Sequence, residues 1–83
     1  MEAEWNKVRW RSRRGMLELD LLLIPFFDEV YRDLSPEQQR AFAALLDQED
    51  PDLLAWFNGN GRPAGEELAA MVDMILAGVK RRP

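Results

Sequence analysis

Apolar positions along this chain recur at helical intervals, and no stretch alternates between apolar and polar as a strand does. From Leu19 onward they fall at 19, 22, 23, 26, 27, 30, 31 and 34, an i, i+3, i+4 stripe that predicts an amphipathic helix. Pro25 lies inside it and cannot donate to the Leu21 carbonyl, which predicts a kink or pause there. Ser35-Pro36-Glu37-Gln38 reads as a fresh start: Ser as N-cap, Pro at the first helical position and Gln38 as capping-box partner. That helix is expected to bury Phe42, Leu45 and Leu46. Asp50-Pro51 repeats the start signal for a helix that carries Leu53, Trp56 and Phe57 inward and stops at Asn58-Gly59. Residues 58–65, rich in Gly, Asn and Pro, form the clear loop. In the last helix Leu68, Met71, Val72, Ile75, Leu76 and Val79 are in register. Lys80 to Arg82 follow where positive charge suits the helix dipole, in a tail over 80–83 expected to be flexible. Upstream, residues 4–13 predict a short basic helix with Trp5 and Val8 on one side. The expected fold is all-α: a small five-helix bundle, one domain spanning residues 1–83.

Size narrows what such a bundle can do. At 83 residues and 9.6 kDa there is room for one modest core. The expected radius of gyration is about 12 Å. Binding by a surface is therefore favoured over binding in a deep cavity. Cysteine and histidine are both absent, which removes disulfides, thiolate or imidazole metal sites, histidine-based nucleophile machinery and histidine pH switching. No pair of carboxylates sits in a recognisable pocket-forming context either, so no catalytic, cofactor-binding or metal-binding residues are assigned and an enzyme is not expected.

The net charge of −4 hides an asymmetry. Residues 1–14 carry Lys7, Arg9, Arg11, Arg13 and Arg14 against Glu2 and Glu4, a local +3. Residues 15–79 set 13 acids against Arg32, Arg40 and Arg62, a local −10. An acidic body repels nucleic-acid phosphates while a basic arm can grip them locally, so charge alone does not choose between nucleic acid and protein partners. The longest apolar run, Leu21 to Phe27, is far short of the roughly 20 residues needed to span a bilayer. Neither a signal-peptide apolar core nor a transit-peptide composition is present at the start, and the expected location is the cytoplasm.

Two motif-like strings lose their appeal in context. Gly59-Asn60-Gly61-Arg62-Pro63-Ala64 matches G-x-G-x-x-A in letters, but a helix precedes it and no βαβ unit surrounds it. Asp47 to Asp52 is acidic like a calcium loop, yet its sixth position is Asp52 instead of glycine, and Pro51 favours a helix start. Trp5 and Trp10 in the basic arm have the makings of a single-strand stacking platform, but tryptophans so spaced usually lie against the bundle with arginines in water.

Arg13-Arg14-Gly15-Met16-Leu17-Glu18 is more informative. Taken singly, its members have ordinary readings: Gly15 ends the first helix, Glu18 complements the dipole of the next, and Arg14 pairs with Glu18 in water. Helical geometry adds to these. With the core stripe of the second helix centred near Phe26 and Val30, Leu17, Leu21 and Ile24 fall together on the opposite side, flanked by Glu18 and Asp28. Such a ridge must be covered by the first helix or by another protein.

Arg14-Gly15-x-x-Glu18, within Arg13-Arg14-Gly15-Met16-Leu17-Glu18-Leu19-Asp20, resembles the signature of the small succinate dehydrogenase assembly factors, also called flavinylation factors. Phe26-Phe27, Tyr31, Phe42 with Leu45-Leu46, Asp50-x-Asp52-Leu53-x-x-Trp56 and Pro63 follow the same family pattern, so the resemblance covers nearly all of residues 5–79. It implies a five-helix bacterial protein that binds the flavoprotein subunit of succinate dehydrogenase, and often of the related fumarate reductase. It also implies promotion of covalent FAD attachment to a histidine of that subunit. FAD would then belong to the client and not be bound tightly by this chain. Carried over by position, the partner-binding residues are Arg14, Gly15 and Glu18, with Arg13, Met16, Leu17, Asp20 and Leu21 as flanking contacts. The partner list implied contains no nucleic acid and no membrane insertion, and a monomer is expected with a weak dimer left open. Two other readings of the same arginine-rich edge also stay open: a small interaction or antitoxin-like regulator, and a nucleic-acid-binding module using the basic arm.

Overall fold

The ends of the helices are set by local chemistry that is visible bond by bond. The computed structural model describes residues 2–81, with side chains from Trp5 to Gly78. Five α-helices follow one another: α1 (Glu2–Arg11), α2 (Leu17–Val30), α3 (Pro36–Leu46), α4 (Asp50–Phe57) and α5 (Glu66–Arg81), with one 3₁₀ turn over Tyr31–Asp33 after α2. No strand occurs among the described residues.

At the start of α3, the Gln38 N–H donates to Ser35 Oγ at 3.1 Å and the Ser35 N–H donates to Gln38 Oε1 at 2.9 Å, so the capping box closes in both directions. At the end of α4, the Asn60 N–H donates to the Ala55 carbonyl at 2.8 Å and the Gly59 N–H to that of Trp56 at 3.2 Å. This is the Schellman arrangement, and Gly59 supplies the positive φ of 79° that it needs.

Two boundaries differ from the sequence expectation. α1 ends at Arg11, where a helix over 4–13 was expected, because the next turn is given other partners. The Ser12 hydroxyl folds back onto the Val8 carbonyl at 3.0 Å, and the Arg14 N–H, which a continuing helix would direct at Trp10, donates to Asp20 Oδ1 at 2.7 Å. Gly15 consequently does not end the first helix; it lies in the loop just ahead of α2, with φ at 81°. α2 also runs unbroken through Pro25, so the missing N–H interrupts one hydrogen bond and not the element. The expected flexible tail at 80–83 falls partly on residues 82–83, outside the described residues, while the backbone of α5 continues to Arg81.

Packing follows the apolar stripes. α5 lies along α3 and α2, α4 touches α2 and α5, and α1 crosses α2. Leu19, Leu23, Phe26, Phe27, Phe42, Leu45, Leu53 and Ile75 are almost wholly buried. Phe26, Phe27, Tyr31 and Phe42 form an aromatic centre with ring centroids 4.5–6.0 Å apart, spacings at which offset and tilted rings attract. Of the three residues expected inward on α4, Leu53 and Phe57 are buried and Trp56 is half-buried. The radius of gyration is 11.8 Å.

Candidate functional site

The five residues between α1 and α2 form an irregular loop, a turn at Ser12 and a bend at Gly15, whose members alternate in burial. Ser12, Arg14 and Met16 turn inward; Arg13 and Gly15 turn outward, followed by exposed Leu17. Ser12 is fully buried, and Met16 packs against the core.

Arg14 is the most heavily bonded of the three. Its Nε donates to Asp50 Oδ1 at 2.7 Å, Nη1 to the Leu46 carbonyl at 2.6 Å and Nη2 to the Gln48 carbonyl at 2.7 Å. The planar guanidinium thus spans the last carbonyl of α3, the Gln48 carbonyl of the α3–α4 linker and the first carboxylate of α4, where each helix dipole favours the sign it meets. Only 16% of its side chain is exposed. The pairing expected between Arg14 and Glu18 does not form: Asp50 takes the guanidinium, and Glu18 stands exposed in the first turn of α2 with no hydrogen bond or ion pair among the described residues.

Asp20, half-buried one turn into α2, accepts the Arg14 N–H and so ties the loop to that helix. Gly15 sits at the apex with open space around it: a Cβ built there meets nothing within 4 Å. Of the eight residues singled out from the sequence, Arg13, Gly15, Leu17, Glu18 and Leu21 therefore present outward, while Arg14, Met16 and Asp20 hold the loop from within.

The ridge on α2 is only partly covered. Arg9 bonds Asp28 at 2.9 Å and Trp5 packs on Phe27 with centroids 5.1 Å apart, so α1 lies over the far half of α2. Ile24 is half-buried there, whereas Leu17 is 68% and Leu21 61% exposed. Trp10, expected to lie against the bundle like Trp5, is instead 74% exposed beside Arg13. A tryptophan and two leucines thus stand in water at the start of α2 and the end of α1.

Two of the four acids in the run at 47–52 pair with the arm's cations. Asp47 bonds Arg11 and Asp50 bonds Arg14, while α4 begins across the same residues. With Arg9 held by Asp28 as well, three of the arm's five cations are neutralised within the chain, which weakens it as a grip for phosphates. Asp50 was legible in the sequence only as a helix start; its role as the receiver for Arg14, 36 residues away, carried no local signal.

Comparison with known proteins is consistent over almost the whole chain. Residues 6–79 match the model of a family described as the flavinator of succinate dehydrogenase. The chain is 51% identical to the FAD assembly factor SdhE of Vibrio cholerae over 71 residues, covering 86% of this chain and 83% of that one. It is 51% identical to the FAD assembly factor SdhE of Pseudomonas aeruginosa over 75 residues, 90% and 89% of the two chains. A solution structure described as a UPF0350 protein superposes with a TM-score of 0.76 at 48% identity, covering 94% of this chain and 84% of that one.

Proposed function

This chain belongs to the family of succinate dehydrogenase flavinators, and from that premise we propose how it works: as an FAD assembly factor that docks on the flavoprotein subunit through the Gly15–Glu18 corner. It promotes covalent attachment of FAD to that subunit. The observation that carries the docking site is the outward-facing set of Gly15, Glu18, Leu17 and Leu21, the two leucines being exposed apolar side chains on the helix that follows the loop. Gly15 lets a partner backbone approach where any side chain would stand in the way. Glu18 is an exposed acceptor for a donor of the client, and Arg13 an exposed cation on the same loop, neither of them paired among the described residues. Burying Leu17 and Leu21 contributes on the order of 1.5–3 kcal/mol each.

The chain supplies position and not chemistry. Flavin attachment to a histidine proceeds within the flavoprotein once the ring and the imidazole are aligned, and alignment alone is worth a large part of such a barrier. A factor that binds an incompletely ordered flavoprotein more tightly in its attachment-competent arrangement shifts the population toward it. In this reading FAD belongs to the client, the chain acts as a monomer in the cytoplasm, and fumarate reductase flavoprotein is a second client by its kinship with the first.

The test is capture of client from extract. Immobilised chain retains a flavoprotein of dehydrogenase size, and that protein is lost when Glu18 is changed to Ala. Retention of nucleic acid in its place, with steep salt dependence, would return the basic arm to the nucleic-acid reading.

A further inference from the structure

Resting on the docking reading above, we infer that Arg14 and Asp50 are positioning residues: they hold the Gly15–Glu18 corner in its client-binding form from within, and Arg14 does not itself meet the client. The argument begins with the alternation of the loop. Ser12, Arg14 and Met16 are drawn inward while Arg13 and Gly15 are exposed, so the outward place of Gly15 depends on its two neighbours at 14 and 16 staying anchored. At the ends of the loop Ser12 is held by its hydroxyl bond to the Val8 carbonyl and Met16 by packing against the core. Arg14 is the central anchor, and it is tied in two directions.

Its backbone N–H is fixed to Asp20 on α2 at 2.7 Å. Each nitrogen of its guanidinium donates to the α3–α4 junction, at 2.6–2.7 Å. A fork committed to three acceptors, with 16% of the side chain exposed, would have to break those bonds before it reached a client carboxylate. Asp50 is the charged member of the receiving set, fixed in turn by the first turn of α4. A site far from the motif in sequence thereby sets the geometry of the motif. A loop released from this anchor is binding-competent for only a fraction of the time, and apparent affinity falls by that fraction.

The test compares Asp50→Asn, Arg14→Lys and the double variant. Asn keeps the size of Asp50 but not its charge, and Lys keeps the charge of Arg14 but cannot span three coplanar acceptors. Affinity for purified apoflavoprotein and the rate of covalent FAD incorporation at saturating factor are measured for each. Amide exchange of residues 13–16 is followed in the free chain. The expected result is a loss of affinity of about tenfold in either single variant, with the saturated rate unchanged and faster exchange at 13–16. The double variant is no weaker than the singles, since both break one device. Wild-type affinity in Asp50→Asn, or losses that multiply in the double variant, would overturn the inference and place Arg14 against the client. Failure of the unsubstituted chain to bind the flavoprotein would instead overturn the functional reading, so the two failures are distinct.

Discussion

Gly15 combines two properties that substitutions can separate. Its φ of 81° lies where a side chain costs about 1–2 kcal/mol, and the space around it is open. Gly15→Ala and Gly15→Arg are therefore expected to lose similar stability, each lowering the melting temperature by roughly 4–15 °C in a domain of this size. They part in binding: Ala weakens client capture, whereas Arg, whose bulk projects into the docking space, abolishes it. Calorimetry of both variants beside a pull-down shows whether strain or obstruction is responsible. Glu18 allows a cleaner split, because it has no partner to lose among the described residues. Glu18→Ala is expected to change stability by at most about 0.3–1 kcal/mol, the dipole contribution of an exposed first-turn acid, while client affinity falls at least about tenfold. A loss near 1 kcal/mol with binding intact would return Glu18 to a purely helical role.

Among the elements, α2 serves two masters. Leu19, Leu23, Phe26 and Phe27 fill the core, and Leu17 and Leu21 face water on the other side. Leu17→Ser with Leu21→Ser should move stability by no more than about 0.5 kcal/mol per site, because neither side chain is buried in the free chain, while affinity for the flavoprotein drops steeply. Leu19→Ala should do the reverse, costing about 2–5 kcal/mol in chemical denaturation through the cavity it leaves. Ser35→Ala, at the opposite end of α3 from the Arg14 anchor, is expected to cost about 1 kcal/mol and leave client binding alone. These elements were largely legible in the sequence because their signals are local: the Ser35–Gln38 box, the Asn58-Gly59 stop, and the spacing of Phe42, Leu45 and Leu46. The end of α1 was not, since it depends on Asp20 taking the Arg14 N–H across the loop. The same holds at the candidate site. Gly15, Glu18 and the leucine ridge can be read from pattern and helical geometry, but the inward course of Arg14 is decided by Asp50 and two carbonyls brought near only by folding.

The whole molecule pairs a basic arm with an acidic body, and the structure spends much of that opposition internally, on Arg9–Asp28, Arg11–Asp47 and Arg14–Asp50. A fourth pair, Arg62–Asp73 at 3.0 Å, ties the long loop to α5, and the hydrogen bond from Arg62 holds the Asp73 carboxyl below its usual 3.8. A lowered carboxylate stabilises the fold above its unfolded value and ceases to do so as pH falls through the folded one. The melting temperatures of the wild type and Asp73→Asn should therefore differ slightly at neutral pH and converge in acid, the difference being small because both partners lie in water. The Gly15–Glu18 corner takes no part in these pairs, and the central claim is that this corner brings a flavoprotein to the state in which it acquires its FAD covalently. The most direct measurement is the flavin fluorescence of the succinate dehydrogenase flavoprotein in a denaturing gel, taken from cells deleted for this chain and complemented with either the wild type or Gly15→Arg. The account predicts a band that vanishes on deletion, returns with the wild type and stays absent with Gly15→Arg present at equal level. A band of full intensity without the chain, or one restored by Gly15→Arg, would contradict it.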